Sequence, residues 1–334
     1  MEFKELGRSG IKISAIGLGT WQWGAREWGW GRRYGRTEVL AAFQKALELG
    51  INLVDTAEVY GRGKSERLIG EAIKGHREEV VIATKVWPWN LTRGRLLRAA
   101  DRSARKLGVD VIDLYQIHWP NPIHPIRNTM NTMKKLVQLG KVRTIGISNF
   151  NVKQTRAAQD ALSPLELASN QVKYNLIDRD IEAELLPHAE SSKVTIIAYS
   201  PLAGSLLTGR YDPQSHPSSL VQAANPRFSS RNLNRMNSLQ NTLSAIATAH
   251  EKTPAQVALN WLISKPNVVA IPGAKKPEHV ADSAGAADWR LSDGEAKELE
   301  AAAAGIKFDN FSGIPNLLRA LAGEIVPAKR STSP

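Results

Sequence analysis

The chain has 334 residues, 42% of them hydrophobic and 23% charged, with a net charge of +12 and no cysteine. That length suits one large domain or two ordinary ones, and the missing thiol excludes disulfides, thiolate metal sites and a cysteine nucleophile. The opening Met1–Glu5 has acidic residues and no apolar signal-like core, and no run approaches the roughly 18 apolar residues of a membrane helix, so a cytoplasmic protein with no membrane partner is expected.

Phe3 to Ser14 reads as a hairpin turning at Arg8-Ser9-Gly10, an appendage that closes one end of the domain. Ala15 to Thr20 is the first short buried strand. Trp21 to Gly35, with Trp21, Trp23, Trp28 and Trp30 among glycines and arginines, is too irregular for an element and reads as a long loop. Thr37 caps a helix ended by Gly50. Strand and helix then alternate: strand Asn52–Thr56 and helix Ser65–Lys74, strand Val80–Lys85 and helix Thr92–Leu107, strand Ile112–His118 and helix Ile126–Leu139. Strand Val142–Ser148 leads to helix Val152–Leu162, and strand Leu167–Val172 to helix Ile181–Ser191, kinked or broken at Pro187. After strand Val194–Ser200 come a long polar loop, Tyr211–Asn237, and the helices Leu239–His250 and Pro254–Ser264. Strand Val268–Ile271 and helix Pro277–Ala284 complete the alternation.

Eight strand–helix units without a dividing linker predict a closed (β/α)₈ TIM barrel, an α/β fold. The barrel is expected over residues 1–305, including the hairpin at 1–14 and a helix at Glu295–Ala303. Residues 306–334 form a C-terminal extension with a frayed end.

Three of the strands end in an ionisable residue. Asp55 closes the second, with Tyr60 five residues on; Lys85 closes the third and His118 the fourth. In a parallel barrel these ends lie on one face, so the four side chains should converge. Together they make a proton donor. A phenol near pKa 10 is a poor acid at neutral pH, but an ammonium at Lys85 would stabilise its phenolate. Asp55 would hold Lys85 charged, and a neutral His118 would orient a carbonyl. Each residue has an ordinary explanation alone: Asp55 a turn cap, Tyr60 a packed aromatic, His118 a satisfied core histidine. Lys85 is the hardest to dismiss, because buried lysine is rare unless paired.

Gly17-Leu18-Gly19-Thr20-Trp21, Asp55-Thr56-Ala57-Glu58-Val59-Tyr60-Gly61, Lys85, Gln116-Ile117-His118 and Gly146-Ile147-Ser148-Asn149-Phe150 resemble, in order and spacing, the aldo-keto reductases. The resemblance runs from about Phe3 to Ala303. It implies NADP(H)-dependent reduction of aldehydes or ketones, with Tyr60 as general acid, Lys85 and Asp55 as its tuning pair and His118 as the carbonyl-orienting residue.

The same resemblance assigns cofactor contacts. Gly19, Thr20, Trp21 and Asp55 fall in the matched motifs, Ser148, Asn149 and Gln171 correspond to carboxamide-binding residues, and Tyr199 to the aromatic that stacks on nicotinamide. Ser200-Pro201-Leu202 through Ser205 to Arg210 resembles the segment over the pyrophosphate; a small-residue loop ending in a cation suits close approach of backbone to phosphate. Lys275 and Lys276 would meet an adenosine 2′-phosphate. His279 and Ser283 depart from the commoner residues there, while Asp282 keeps the carboxylate that meets adenine. NADPH is therefore expected to be preferred, with NADH possible.

Trp21, Trp23, Trp28, Trp30, Trp87 and Trp119 lie on the catalytic face and would line an apolar substrate pocket; for Trp23, Trp28 and Trp30, packing that stabilises the long loop is an equal alternative. Gln22 breaks a Rossmann fingerprint begun at Gly17, and the histidines lack metal spacing, so no metal is expected. The basic residues form no long run, so no nucleic-acid partner is expected; the partner is a small carbonyl compound and the default state a monomer. Two rivals stand: an NADPH-binding subunit of a membrane channel, against which the missing N-terminal inactivating segment counts, and a barrel enzyme of other chemistry, which would leave Tyr60, Gln171 and Tyr199 unexplained.

Overall fold

The computed structural model describes residues 1–214 and 219–309. An antiparallel hairpin, β1 (Phe3–Glu5) and β2 (Lys12–Ser14), precedes β3 (Leu18–Gly19), α1 (Arg36–Glu48), β4 (Leu53–Asp55) and α2 (Lys64–Ala72). The alternation continues through β5 (Val81–Val86), α3 (Arg93–Leu107), β6 (Ile112–Ile117), α4 (Ile126–Gln138), β7 (Val142–Ser148) and α5 (Val152–Leu162). Next come β8 (Leu167–Lys173), α6 (Leu185–Ser191), β9 (Thr195–Tyr199) and the short α7 (Leu220–Ala223) and α8 (Ser230–Arg235). The last elements are α9 (Asn237–Ala249), α10 (Pro254–Ile263), β10 (Val268–Ala270), α11 (Pro277–Ala284) and α12 (Asp293–Ala304).

Strands β3 to β10 form one parallel sheet in sequence order. Bridges from Ile16 to Ala270 and from Gly19 to Gly273 join its two edges, with Gly17 N–H donating to the Ala270 carbonyl at 2.8 Å. The eight-stranded (β/α)₈ barrel expected from the alternation is the fold. Alternate side chains point inward, and along these inward rows the chemistry changes with height. Leu53 gives way to Asp55, Val81 and Ala83 to Lys85, and Leu114 to Gln116 and His118. The lower interior is an apolar cluster that also takes Leu6, Ile11 and Ile13 from the hairpin. The hairpin therefore plugs the bottom, where the Lys4 ammonium donates to the carbonyls of Ile263, Lys265 and Val268 at 2.6, 2.6 and 2.9 Å. A larger apolar cluster lies between strands and helices, as in other layered α/β folds.

Local sequence explains the helix starts. Asn151 with Gln154, Thr253 with Gln256 and Ser292 with Glu295 form reciprocal capping boxes at α5, α10 and α12. Some expectations need correction. The first barrel strand is Leu18–Gly19, shorter than Ala15–Thr20, because at the barrel's closing edge it meets β10 only through isolated bridges. No single helix spans 181–191; a 3₁₀ turn at Asp180–Glu182 precedes α6, which starts two residues before Pro187. Proline lacks an N–H and collides with the carbonyl four residues back, so it is accommodated only in a first turn. The span Tyr211–Asn237 contains α7 and α8, where Asn225 and Ser229 cap short turns. Of the C-terminal extension, 310–334 lie outside the described residues; Asp309 pairs with Arg231 at 2.8 Å.

Candidate active site

Neighbouring strands β4 and β5 place Asp55 and Lys85 at the top of the barrel interior. Lys85 is fully buried. Its ammonium donates to Asp55 Oδ1 at 2.7 Å and to the Thr56 carbonyl at 2.8 Å, and lies 3.3 Å from Tyr60 Oη. Burial alone would lower its pKa, but the Asp55 carboxylate and Tyr60 outweigh that and hold it above the ordinary lysine value.

Tyr60 enters from the turn after β4. Gly61 has φ +53°, and a Cβ there would lie 2.7 Å from the Trp23 carbonyl, so the turn that aims Tyr60 requires glycine. Burial raises the phenol's pKa, Lys85 opposes the rise and Asp55 adds to it; the net direction is upward. Lys85 was expected to make the phenol more acidic overall. The loss of water around the hydroxyl is the larger effect, so Tyr60 is held protonated.

His118 follows β6 with its ring edge-on to Tyr60, centroids 5.7 Å apart, and to Trp87 at 5.5 Å. Burial and then the Lys85 charge push its pKa down to about 3. Its Nδ1 is buried without a partner among the described residues. The four side chains thus meet at one rim, with a neutral imidazole, a neutral phenol and an ammonium–carboxylate pair.

Beneath them lies a polar layer. Gln171 donates to Asp55 Oδ2 at 2.7 Å, and Ser148 Oγ donates to the Gln171 carbonyl at 2.7 Å. Asn149, with φ +63°, donates to the His118 carbonyl at 3.0 Å and accepts from Tyr199 Oη at 3.0 Å. Ser148, Asn149, Gln171 and Tyr199 are therefore brought together beside Asp55, Tyr60, Lys85 and His118. Thr20 is fully buried; its hydroxyl donates to the Asp55 carbonyl at 2.8 Å and lies 2.8 Å from Ser65 Oγ, so it braces Asp55. Beyond β9, Ser200, Ala203, Gly204 and Ser205 all have positive φ, three of them non-glycine. Within the turn the N–H groups of Ala203 and Ser205 donate to the carbonyls of Ser200 and Leu202, each at 2.9 Å, and such a concentration of left-handed backbone is costly away from a functional site. Pro201 is buried there and Leu202 partly so, and Arg210 is exposed at the end.

Lys275 and Lys276 follow β10, and the Lys275 N–H donates to His279 Nδ1 at 3.4 Å. Asp282 accepts from Thr253 Oγ1 at 2.8 Å and Ser283 is buried. The charges acting on Lys275 are those of Arg33, Arg210 and Lys276, all cations.

The tryptophans divide. Trp21 and Trp119 are 44% and 45% exposed at the rim, and Trp87 contacts His118. Trp23 is fully buried, with its indole N–H on the Ala274 carbonyl at 2.9 Å; it belongs to the core and not to a pocket wall. Trp28 is nearly buried against Trp21, and Trp30 packs edge-on against Tyr34. Sequence reading did not single out Glu58, whose carboxylate accepts from the Trp87 N–H at 2.7 Å and the Asn90 amide at 2.9 Å, tying the Tyr60 turn to the next rim loop. It also passed over Trp89 and Ile123, 56% and 71% exposed on rim loops; lone apolar residues beside proline carry no pattern in sequence. Among the described residues no three His, Asp or Glu side chains gather to hold a metal, and no helix is long and apolar enough to cross a membrane.

A sequence profile described as the Aldo/keto reductase family matches residues 15–304. An uncharacterized oxidoreductase of Mycobacterium tuberculosis is 45% identical over 281 residues, covering 84% of this chain and 86% of that protein. A methylglyoxal reductase of Escherichia coli is 35% identical over 294 residues, covering 87% and 92%. An aldo/keto reductase from Klebsiella pneumoniae, crystallised with NADP and acetate, superposes with a TM-score of 0.72 at 32% identity, covering 90% of this chain and 95% of that one.

Proposed function

The chain belongs to the aldo/keto reductase family, and on that premise we propose that it reduces aldehydes or ketones to alcohols with NADPH, using Tyr60 as the acid. The observation that carries this reading is the 3.3 Å approach of the Lys85 ammonium to Tyr60 Oη, with Asp55 behind the lysine at 2.7 Å. Ser148, Asn149, Gln171, Tyr199, the Ser200–Ser205 segment and Lys275 would hold a nicotinamide dinucleotide, which would supply the hydride for the carbonyl carbon. The NADP and NADPH complexes of Klebsiella aldo/keto reductases support that choice of cofactor.

As the substrate oxygen gains charge, Tyr60 gives it a proton. The phenol is protonated beforehand because burial disfavours its anion. The phenolate left behind faces Lys85, an attraction on the order of 5 kcal/mol at an effective dielectric of about 20. Burial thus keeps the proton available, and Lys85 stabilises the state after its departure. His118, uncharged, can hydrogen-bond the carbonyl without competing as an acid. Trp21, Trp87 and Trp119 offer apolar walls suited to carbonyls with hydrophobic groups. The oxidoreductases among the relatives lend no support to the channel-partner alternative.

The test is NADPH oxidation across a panel of aryl, alkyl and sugar carbonyls, repeated with Tyr60→Phe. Removing the acid should lower kcat by about 10²–10⁴-fold while dinucleotide affinity is retained. Undiminished turnover by Tyr60→Phe would refute the assignment.

A further inference from the structure

The long first loop does more than pack. Its Gln22–Tyr34 portion lies against the chain that follows β10: Trp23 donates to the Ala274 carbonyl at 2.9 Å, and Tyr34 Oη donates to the Gln22 carbonyl at 2.6 Å, fixing the loop on itself. Two of its rings meet the Lys275 ammonium, which lies 5.9 Å from the Trp28 centroid and 5.3 Å from the Tyr34 centroid. Lys275 is only partly exposed, and among the described residues no carboxylate pairs with it; Glu27, on the same loop, acts on Tyr34. The neighbouring charges belong to Arg33, Arg210 and Lys276; Glu278 acts on His279, and Glu38, next along the chain from the loop, answers to Lys276.

A half-buried ammonium among other cations is unfavourable in the free protein. Aromatic faces attract a cation without neutralising it. A caged lysine is therefore held in place while its charge remains available to an anion. Arg33, on the same loop, adds a second cation whose planar guanidinium suits a phosphate.

We propose that the first βα loop is part of the dinucleotide site, with Trp28 and Tyr34 as positioning residues that hold Lys275, and Arg33 as a direct contact, for the phosphate monoester that distinguishes NADP(H) from NAD(H). The inference rests on the reading that Lys275 meets that phosphate. It extends the determinant of cofactor choice from the segment after β10 to a loop some 240 residues earlier in the chain.

Isothermal titration calorimetry of the full chain with NADP⁺ and NAD⁺ reads the preference as a ratio of dissociation constants. The expected wild-type ratio favours NADP⁺ by about tenfold or more, and Lys275→Ala brings it close to one. Arg33→Ala, Trp28→Leu and Tyr34→Leu each narrow it by about three- to tenfold with NAD⁺ affinity unchanged, whereas Tyr34→Phe, which keeps the ring, preserves it. If Lys275→Ala collapses the ratio but the three loop variants keep it, the loop has no part and the inference is overturned while the reading of Lys275 stands. If Lys275→Ala itself leaves the ratio unchanged, or the wild type shows no preference, the reading beneath it fails as well. Arg33 is exposed, so its variant decides the matter even if the ring substitutions do not fold.

Discussion

Gln171 donates its side-chain amide to Asp55 across 2.7 Å, on the carboxylate oxygen opposite the one held by Lys85. A residue expected to serve the cofactor therefore also fixes the carboxylate that anchors the lysine. Gln171→Leu should cost about 1.5–3 kcal/mol of stability, the range for a lost hydrogen bond to a charged group. Denaturant unfolding measures it; a change below about 0.5 kcal/mol would show that Asp55 finds an equivalent donor.

Lys85→Met tests the ion pair from the other side. It strands a buried carboxylate and should destabilise the protein by about 3–5 kcal/mol, besides abolishing turnover. Adding Asp55→Asn removes the stranded charge. The double variant should recover much of the stability and none of the activity, which separates the pair's structural effect from its chemical one. Recovery of turnover in the double variant would contradict the proposed role of Lys85.

The depressed pKa of His118 has a consequence for acid stability. Its value falls from an ordinary 6.5 when unfolded to about 3 in the fold. Between those values the unfolded chain binds the extra proton, so this residue's contribution to stability declines as pH falls from about 6.5 towards 3. Above 6.5 it is constant. Thermal unfolding of His118→Asn should show a shallower loss of Tm over that window than the wild type; parallel curves would mean that the imidazole does not titrate differently in the fold. Carbonyl reduction near neutral pH should show no limb attributable to His118.

Much of this was legible because period-two strands and period-3.6 helices alternate with few interruptions, and because a parallel barrel sends every strand end to one face. Asp55, Lys85 and His118 could be placed from that rule alone. The direction of the Tyr60 shift could not, since it depends on how much water the folded rim excludes. Trp23 was ambiguous because loop tryptophans carry no periodicity to separate core from pocket. Thr20 and Glu58 stand in recognised motifs, but their roles depend on partners 35 and 29 residues away, which spacing does not reveal.

At the opposite end of the barrel, Lys4→Met should leave kcat unchanged while lowering Tm by a few degrees. Three carbonyls would lose their donor, at about 1–3 kcal/mol in total, far from the rim. A fall in kcat at temperatures where the variant is fully folded would instead reveal communication along the barrel axis.

The cylinder is stitched unevenly. Neighbouring strands such as β6 and β7 pair in a continuous ladder, but the first and last strand segments close through separate bridges at Ile16–Ala270 and Gly19–Gly273, with the amides of Gly17, Gly19 and Ala270 donating across the seam at 2.8, 3.0 and 2.9 Å. Thermal breathing should begin along that line, and the amides of Gly17, Gly19 and Ala270 should exchange with deuterium before those of β6 and β7. That closing join runs beside the Trp23–Ala274 clasp, a side-chain tie added where the ladder is interrupted.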